Sequence, residues 1–191
     1  MVPGSPYPEY MDPIQRAELF RTLHRRSEIL ILANVWDAAS ARIVEAAGYP
    51  AVATSSAGMA FALGYPDGQK APWDEHLAAI RRIVRTVKVP VTADIEAGYG
   101  DSLQDLSGAI SDLIDAGASG LNLEDEIDNK LVDPQQHIEE RIHIVRQTAK
   151  SKGVPIFLNA RSDYYWHGPG SAEEKLAGTI ERLRAYVKAG L

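Results

Sequence analysis

One unit recurs along this chain and narrows its fold more than any other feature: a helical stretch closes on Ala-Gly, and an apolar, strand-like run follows at once. EAAGYPAVATSS (45–56) and DAGASGLNLED (115–125) carry it in full, and VKAGL (187–191) carries it as far as the glycine. Glycine suits the left-handed residue that ends a helix, here Gly48, Gly117 and Gly190, and so turns the chain straight into a strand. Five short apolar runs, 29–36, 51–56, 89–96, 120–125 and 154–161, alternate with helical patterns over 38–48, 74–87, 102–117 and 134–153. Strands separated by helices of that length form parallel βαβ units, and runs that are apolar nearly throughout suit a sheet buried on both faces. A further helix is expected over roughly 172–188, its cap supplied by Gly190, with no sixth strand after it. The expected fold class is therefore α/β, of the (β/α)8 TIM-barrel type, truncated here after about five βα units. A genuine five-stranded open sheet is the alternative, and the bare cap at Gly190 argues against it.

The 191 residues suffice for one domain with a sizeable core. The Pro-rich start, MVPGSPYPEY, has neither the basic nor the apolar region of a signal peptide. Residues 1–11 are expected as a disordered arm, leaving 12–191 as the partial barrel domain. Asp12 suits the cap of the first helix, Pro13 its first turn, and Arg25 and Arg26 its C-terminal end. The net charge of −6 argues against nucleic acid or an anionic membrane surface as partner, since both attract basic patches. The apolar runs are far shorter than a bilayer span. With no Cys in the chain, disulfides, Cys-based zinc sites, iron–sulfur clusters and thiol catalysis are excluded. The same absence fits a cytoplasmic location.

Each strand run ends in side chains able to do chemistry: Asn34, Trp36 and Asp37; Ser55 and Ser56; Asp94 and Glu96; Glu124 and Asp125; Asn159, Arg161 and Asp163. In parallel α/β proteins that end of the sheet is the functional face. A single polar strand end signals only the cap of the next helix, and Asp125 taken alone reads that way, as does Asp37. Asp94 and Glu96 stand two apart, so on one strand both would point to the same side, with Glu124 level with them on the next strand. Like carboxylates repel, and a shared proton or a cation relieves the repulsion. With no Cys, and no His near them in sequence, the expected cation is a hard one, Mg²⁺ or Mn²⁺.

NVWDAASARIVEAAG, ATSSAGMAFALGYPDG, VTADIEAGYGD, GLNLED and NARSD, in that order over about residues 29–170, resemble the successive motifs of the isocitrate lyase and phosphoenolpyruvate mutase superfamily. ADIEAGYG followed by LNLED is the most specific part. The resemblance implies an eight-stranded α/β barrel whose last three strands are absent here. It implies that Asp94 binds Mg²⁺ (or Mn²⁺) directly, while Asp67, Glu96 and Glu124 hold the metal's waters. Ser55, Ser56 and Ala57 resemble the turn whose amides and hydroxyl bind a substrate carboxylate. Arg161 resembles the arginine that pairs with the substrate's anionic group, and Trp36 a wall of the pocket. Glu96 stands where many relatives carry Asp, keeping the charge with a longer reach. The Lys-Cys-Gly-His loop of the isocitrate and methylisocitrate lyases has no counterpart, because the corresponding EDEIDNKLVDPQQH lacks Cys. Lys130 stands six residues after Glu124, the spacing of the catalytic-loop lysine in the mutases, but without the surrounding pattern; a solvated loop lysine is the plain alternative. His137 and His143 do not share a helix face. His24 suits the end of the first helix dipole, and Gly98 a tight turn after the third strand.

The resemblance thus implies a Mg-dependent lyase or phosphonomutase-like enzyme. Its substrate would be a small 2-oxo or 2-hydroxy acid, and its route a metal-stabilised enolate, by C–C cleavage, decarboxylation or P–C chemistry. The full-length protein would be a homo-oligomer. Without a Cys general acid the expectation shifts from isocitrate to oxaloacetate, a substituted malate or phosphonopyruvate. The rival is a non-catalytic fragment or degenerate homologue that cannot close the barrel alone and whose open edge seeks a partner.

Overall fold

The computed structural model describes residues 11–100, 102–127, 130–131 and 138–191, with Ile127, Lys130 and Leu131 described as backbone only. Of the expected N-terminal arm, residues 1–10 lie outside the described residues, and Met11 is buried. Helix α1 (Pro13–Leu23) opens with a reciprocal cap: the Asp12 carboxylate accepts from Gln15 N at 2.8 Å, and the Gln15 side chain accepts from Asp12 N at 3.1 Å. The chain continues through β1 (Ala33–Val35), α2 (Ala38–Ala46), β2 (Val52–Thr54), α3 (Ser56–Leu63), α4 (Trp73–Val84), β3 (Val91–Asp94) and α5 (Leu103–Asp115). It then forms β4 (Gly120–Glu124), β5 (Glu126–Ile127), β6 (Lys130–Leu131), α6 (Glu139–Lys152), β7 (Phe157–Arg161), α7 (Tyr164–His167) and α8 (Ala172–Lys188). One sheet of order β1-β2-β3-β4-β7 is parallel throughout, and β5 and β6 form a separate antiparallel pair. All five expected strands are present, in chain order.

Two local readings need correction. The run 51–56 does not stay extended: the Ser55 hydroxyl accepts from Gly58 N at 3.1 Å, and that cap starts α3 at Ser56. The third strand stops at Asp94, so Glu96 is not on it; Glu96 lies in the following turn with φ 51°.

The recurring Ala-Gly units close their helices in one way. Gly48 and Gly117, at φ 89° and 87°, donate to Glu45 O (3.0 Å) and Ile114 O (2.9 Å), and the next residues donate to Val44 O (3.4 Å) and Leu113 O (3.2 Å). At the third unit Gly190 donates to Val187 O (3.2 Å) and Leu191 to Tyr186 O (3.3 Å), so the same motif ends α8.

Ile80, Ile83 and Val84 of α4, Leu106, Ile110 and Leu113 of α5, and Ile142 and Val145 of α6 form one buried cluster with Val91, Ala93, Leu121, Leu123 and Leu158 of the sheet. Helix α1 covers the start of the strands. Phe20 and Leu23 are buried there with Ala51, and Phe20 stands edge-on to Phe157 with ring centres 5.5 Å apart. A Cβ at Gly120 would lie 2.6 Å from Phe20 Cε1, which is why β4 begins with glycine. His24 does more than face the helix dipole: its ring stacks on Phe157 at 3.9 Å, and its Nδ1 lies 2.8 Å from Phe20 O. No helix among the described residues is long and apolar enough to cross a membrane. With α1 at the strand starts, the strand ends are left to carry the chemistry.

Candidate active site

Parallel register sets these strand ends level, pairing Asp94 with Asn122 and Glu124 with Arg161. The Asp94 carboxylate is already held: Oδ2 accepts from Ser56 Oγ at 2.7 Å and Ser56 N at 3.3 Å, and Oδ1 accepts from Glu96 N at 3.3 Å. Beyond Asp94 the chain turns back sharply. Gly98, at φ 96°, donates to Ile95 O at 2.7 Å, and a Cβ there would lie 2.5 Å from Leu106 Cδ1. The left-handed backbone at Glu96 and a bond from Glu124 N to Glu96 O (2.8 Å) bring Glu96 beside β4. Non-glycine residues at positive φ cost energy and concentrate at functional sites; here Gln69, Glu96 and Tyr99, at 57°, 51° and 52°, all lie around this turn.

A cleft of about 360 Å³ opens at this face, lined by Ser56, Asp67, Gln69, Lys70, Glu96, Glu124, Glu126, Arg161, Asp163 and His167 among others. Arg161 divides its donors: Nη1 lies 2.6 Å from Glu124 Oε1, while Nε and Nη2 donate to Asp163 Oδ1 at 2.9 and 2.7 Å. His167 Nε2 lies 3.3 Å from Glu126 Oε2. Burial pushes the Glu124 carboxyl up to about 8; Arg161 opposes the rise, and repulsion from Asp94, Asp163 and Glu96 adds to it. Burial likewise pushes Glu96 up to about 7, helped by Asp67 and Asp94 and opposed by a backbone hydrogen bond from Gln69.

Of the residues singled out by sequence, Ser56, Asp67, Glu96, Glu124 and Arg161 meet in this cleft, with Asp94 bonded to Ser56 at its edge. Ser55, Ala57 and Trp36 are not among the lining residues. Ser55 caps α3, Ala57 lies in its first turn, and Trp36 is 47% exposed beside Gly58, whose Cβ would stand 3.0 Å from Trp36 Cβ. Lys130 begins β6, but its side chain lies outside the described residues, as does His137; His143 is exposed.

Two participants, His76 and Tyr99, were missed. His76 is fully buried, with Nε2 3.2 Å from Asp94 O and Nδ1 3.0 Å from the Tyr99 hydroxyl, which is itself 3.4 Å from Glu96 Oε1. The buried-face spacing of His76 with Ile80 and Ile83 on α4 could have revealed it. The reading of Asp125 as a helix cap was wrong: it is fully buried and accepts from Ser162 Oγ (2.8 Å), Asp163 N (2.7 Å), Arg182 Nη1 (3.2 Å) and the Tyr186 hydroxyl. Asp163, named from the sequence only as a strand-end side chain, is buried beneath Arg161 and pairs with it.

No group of three or more acidic or histidine side chains among the described residues converges as a ready set of direct metal ligands. Arg161 engages Glu124, and Ser56 engages Asp94. The residues nonetheless fit a hard divalent ion held mainly through water: the donors are all carboxylates, and burial, with repulsion among them, raises two of them. A pH dependence follows. Both glutamates leave the usual 4.5 for about 7 and 8, so the native protein holds more protons than the unfolded chain within that window. Their stabilising contribution is complete below the unfolded value and is lost as pH rises to about 8. The urea midpoint of the metal-free protein should therefore fall across this window, and Mg²⁺ should oppose the fall; a rising midpoint would contradict the assignment.

Residues 20–190 match the phosphoenolpyruvate phosphomutase family. The chain is 33% identical over 178 residues to 2-methylisocitrate lyase of Escherichia coli (strain K12), covering 90% of this chain and 58% of that protein. A phosphonomutase homologue from Burkholderia cenocepacia J2315 superposes with a TM-score of 0.85 at 42% identity, over 92% of this chain and 72% of that one. Oxaloacetate acetylhydrolase in complex with the product oxalate gives a TM-score of 0.81 at 26% identity, over 94% of this chain and 62% of that one. The chain spans about three fifths of the length of the curated relatives it matches. By its family match, its relatives and its barrel-type arc of parallel strands, the chain belongs to the phosphoenolpyruvate phosphomutase family.

Proposed function

We propose that this chain carries the cation and carboxylate site of a Mg²⁺-dependent (or Mn²⁺-dependent) enzyme acting on a small 2-oxo or 2-hydroxy acid. The observation that carries the reading is the juxtaposition, in one cleft, of a guanidinium fixed by a buried carboxylate with carboxyls that burial and mutual repulsion hold high. Asp94 would hold the ion directly, with Asp67, Glu96 and Glu124 receiving its waters. The bound ion supplies Lewis acidity toward an enolate oxygen. Arg161 has a planar fork matched to a carboxylate; Asp163 fixes Nε and Nη2, and Nη1 stands against Glu124, which lines the cleft and which a substrate carboxylate would replace there. In the first turn of α3, which the Ser55 hydroxyl caps, Ser55 and Ala57 would help receive the same anion, the Ser56 amide being already bonded to Asp94. His76, through Asp94 O and Tyr99, buttresses the turn that aims Glu96.

Oxaloacetate acetylhydrolase and 2-methylisocitrate lyase, the named relatives, both take small organic acids, which agrees with this class of substrate. With no Cys to act as proton donor, oxaloacetate, a substituted malate or phosphonopyruvate is expected to react ahead of isocitrate. The test is a panel of these acids with Mg²⁺, following pyruvate through a coupled dehydrogenase. Turnover should vanish with chelator and fall about 100-fold in Arg161→Lys, the scale of losing one aligned donor to a developing anion. Isocitrate as the best substrate, or turnover indifferent to chelator, would refute the reading.

A further inference from the structure

We infer that Tyr186 and Arg182, on the last helix and outside the cleft, are positioning residues for Arg161, acting through Asp125 and Asp163. The inference rests on the reading of Arg161 as the substrate-carboxylate ligand.

The path is continuous. On α8, Arg182 Nη1 donates to Asp125 Oδ2 at 3.2 Å, and the Tyr186 hydroxyl donates to the same oxygen. Asp125 Oδ1 accepts from Asp163 N at 2.7 Å, and Ser162 Oγ donates to Asp125 Oδ2 at 2.8 Å. Asp125 thereby fixes the backbone from which the Asp163 carboxylate takes Arg161 Nε and Nη2. The Arg161 side chain is half exposed, and without this hold it would sample many rotamers. Asp163 is buried, and its Oδ2 has no hydrogen-bond partner among the described residues, while Oδ1 carries the clamp on Arg161.

The same helix fixes the connecting turn. The Arg182 guanidinium lies over the Tyr164 ring at 4.7 Å, and Gly178 leaves room for that ring, since a Cβ there would stand 2.3 Å from Tyr164 Cε1. A buried ion pair of this kind is a poor source of net stability, because desolvation offsets the attraction. What it does fix is direction: one fully buried carboxylate ties the end of β4, the end of β7 and α8 to one another.

Tyr186→Phe tests the path, because it removes one hydroxyl and keeps the ring. Arg182→Gln is the stronger variant, but it can fail by misfolding. Two readouts are needed. The first is the Arg161 Nε–H resonance in a proton–nitrogen correlation spectrum, identified by its loss in Arg161→Lys. The second is calorimetric affinity for oxalate in the presence of Mn²⁺. In Tyr186→Phe the resonance should shift and lose exchange protection, and oxalate affinity should fall about 5- to 10-fold, the scale of one hydrogen bond, with Mn²⁺ affinity unchanged. If the resonance and oxalate affinity both match wild type, the inference is overturned. If wild type binds no oxalate while the resonance still depends on Tyr186, the positioning stands and the proposed function fails.

Discussion

Asp125→Ala is expected to destabilise the protein by about 3–5 kcal/mol, the cost of removing one partner from a buried ion pair. The site gives the reason. Arg182, the Tyr186 hydroxyl, the Ser162 hydroxyl and the Asp163 amide all donate to this one carboxylate, and alanine leaves these groups without their acceptor in a region with little room for water. Asp125→Asn keeps a carbonyl acceptor and should cost less, although its amide hydrogens would face donors. Urea unfolding would show the effect as a lowered midpoint with an unchanged slope. A loss within about 0.5 kcal/mol, the range of an ordinary surface substitution, would mean that the network is not as dry or as coupled as described.

The sheet was legible because its signals are local. An Ala-Gly helix end followed at once by an apolar run permits little besides a parallel βαβ unit, and the glycines at 48 and 117 adopt the left-handed conformation that this requires. The acidic residues were legible by type and by strand level. What stayed hidden depended on where elements meet in space. Asp125 looked like a helix cap because nothing near it in sequence announces that Arg182 and Tyr186, 57 and 61 residues later, pack against it. The alternation that put Asp94 and Glu96 on one strand failed because the chain turns left-handed after Asp94, and the backbone geometry, more than a strand's two-residue period, aims Glu96. Helix α3 was not read from the sequence, and the strand run was carried one residue into it at Ser56, for a similar reason. ATSSAGMAFAL is apolar nearly all round, so no helical stripe shows, and the deciding feature is one Ser55 cap.

Asp94→Asn should remove the cation site while leaving the fold intact. The substitution deletes the negative charge at the end of β3, but an amide oxygen can still accept from Ser56 Oγ, and the repulsion felt by Glu96 and Glu124 is eased. Stability should therefore stay within about 1 kcal/mol of wild type. Cation affinity should fall at least about 100-fold, beyond the usual loss for a residue that supports a metal only indirectly. The central claim is that these strand-end carboxylates form a divalent-cation site organised on Asp94. Its most direct test is a calorimetric titration of wild type and Asp94→Asn with Mn²⁺ above pH 8, where Glu96 and Glu124 are largely ionised. The account predicts one site in wild type and none measurable in the variant; equal Mn²⁺ affinity in the two proteins would contradict it.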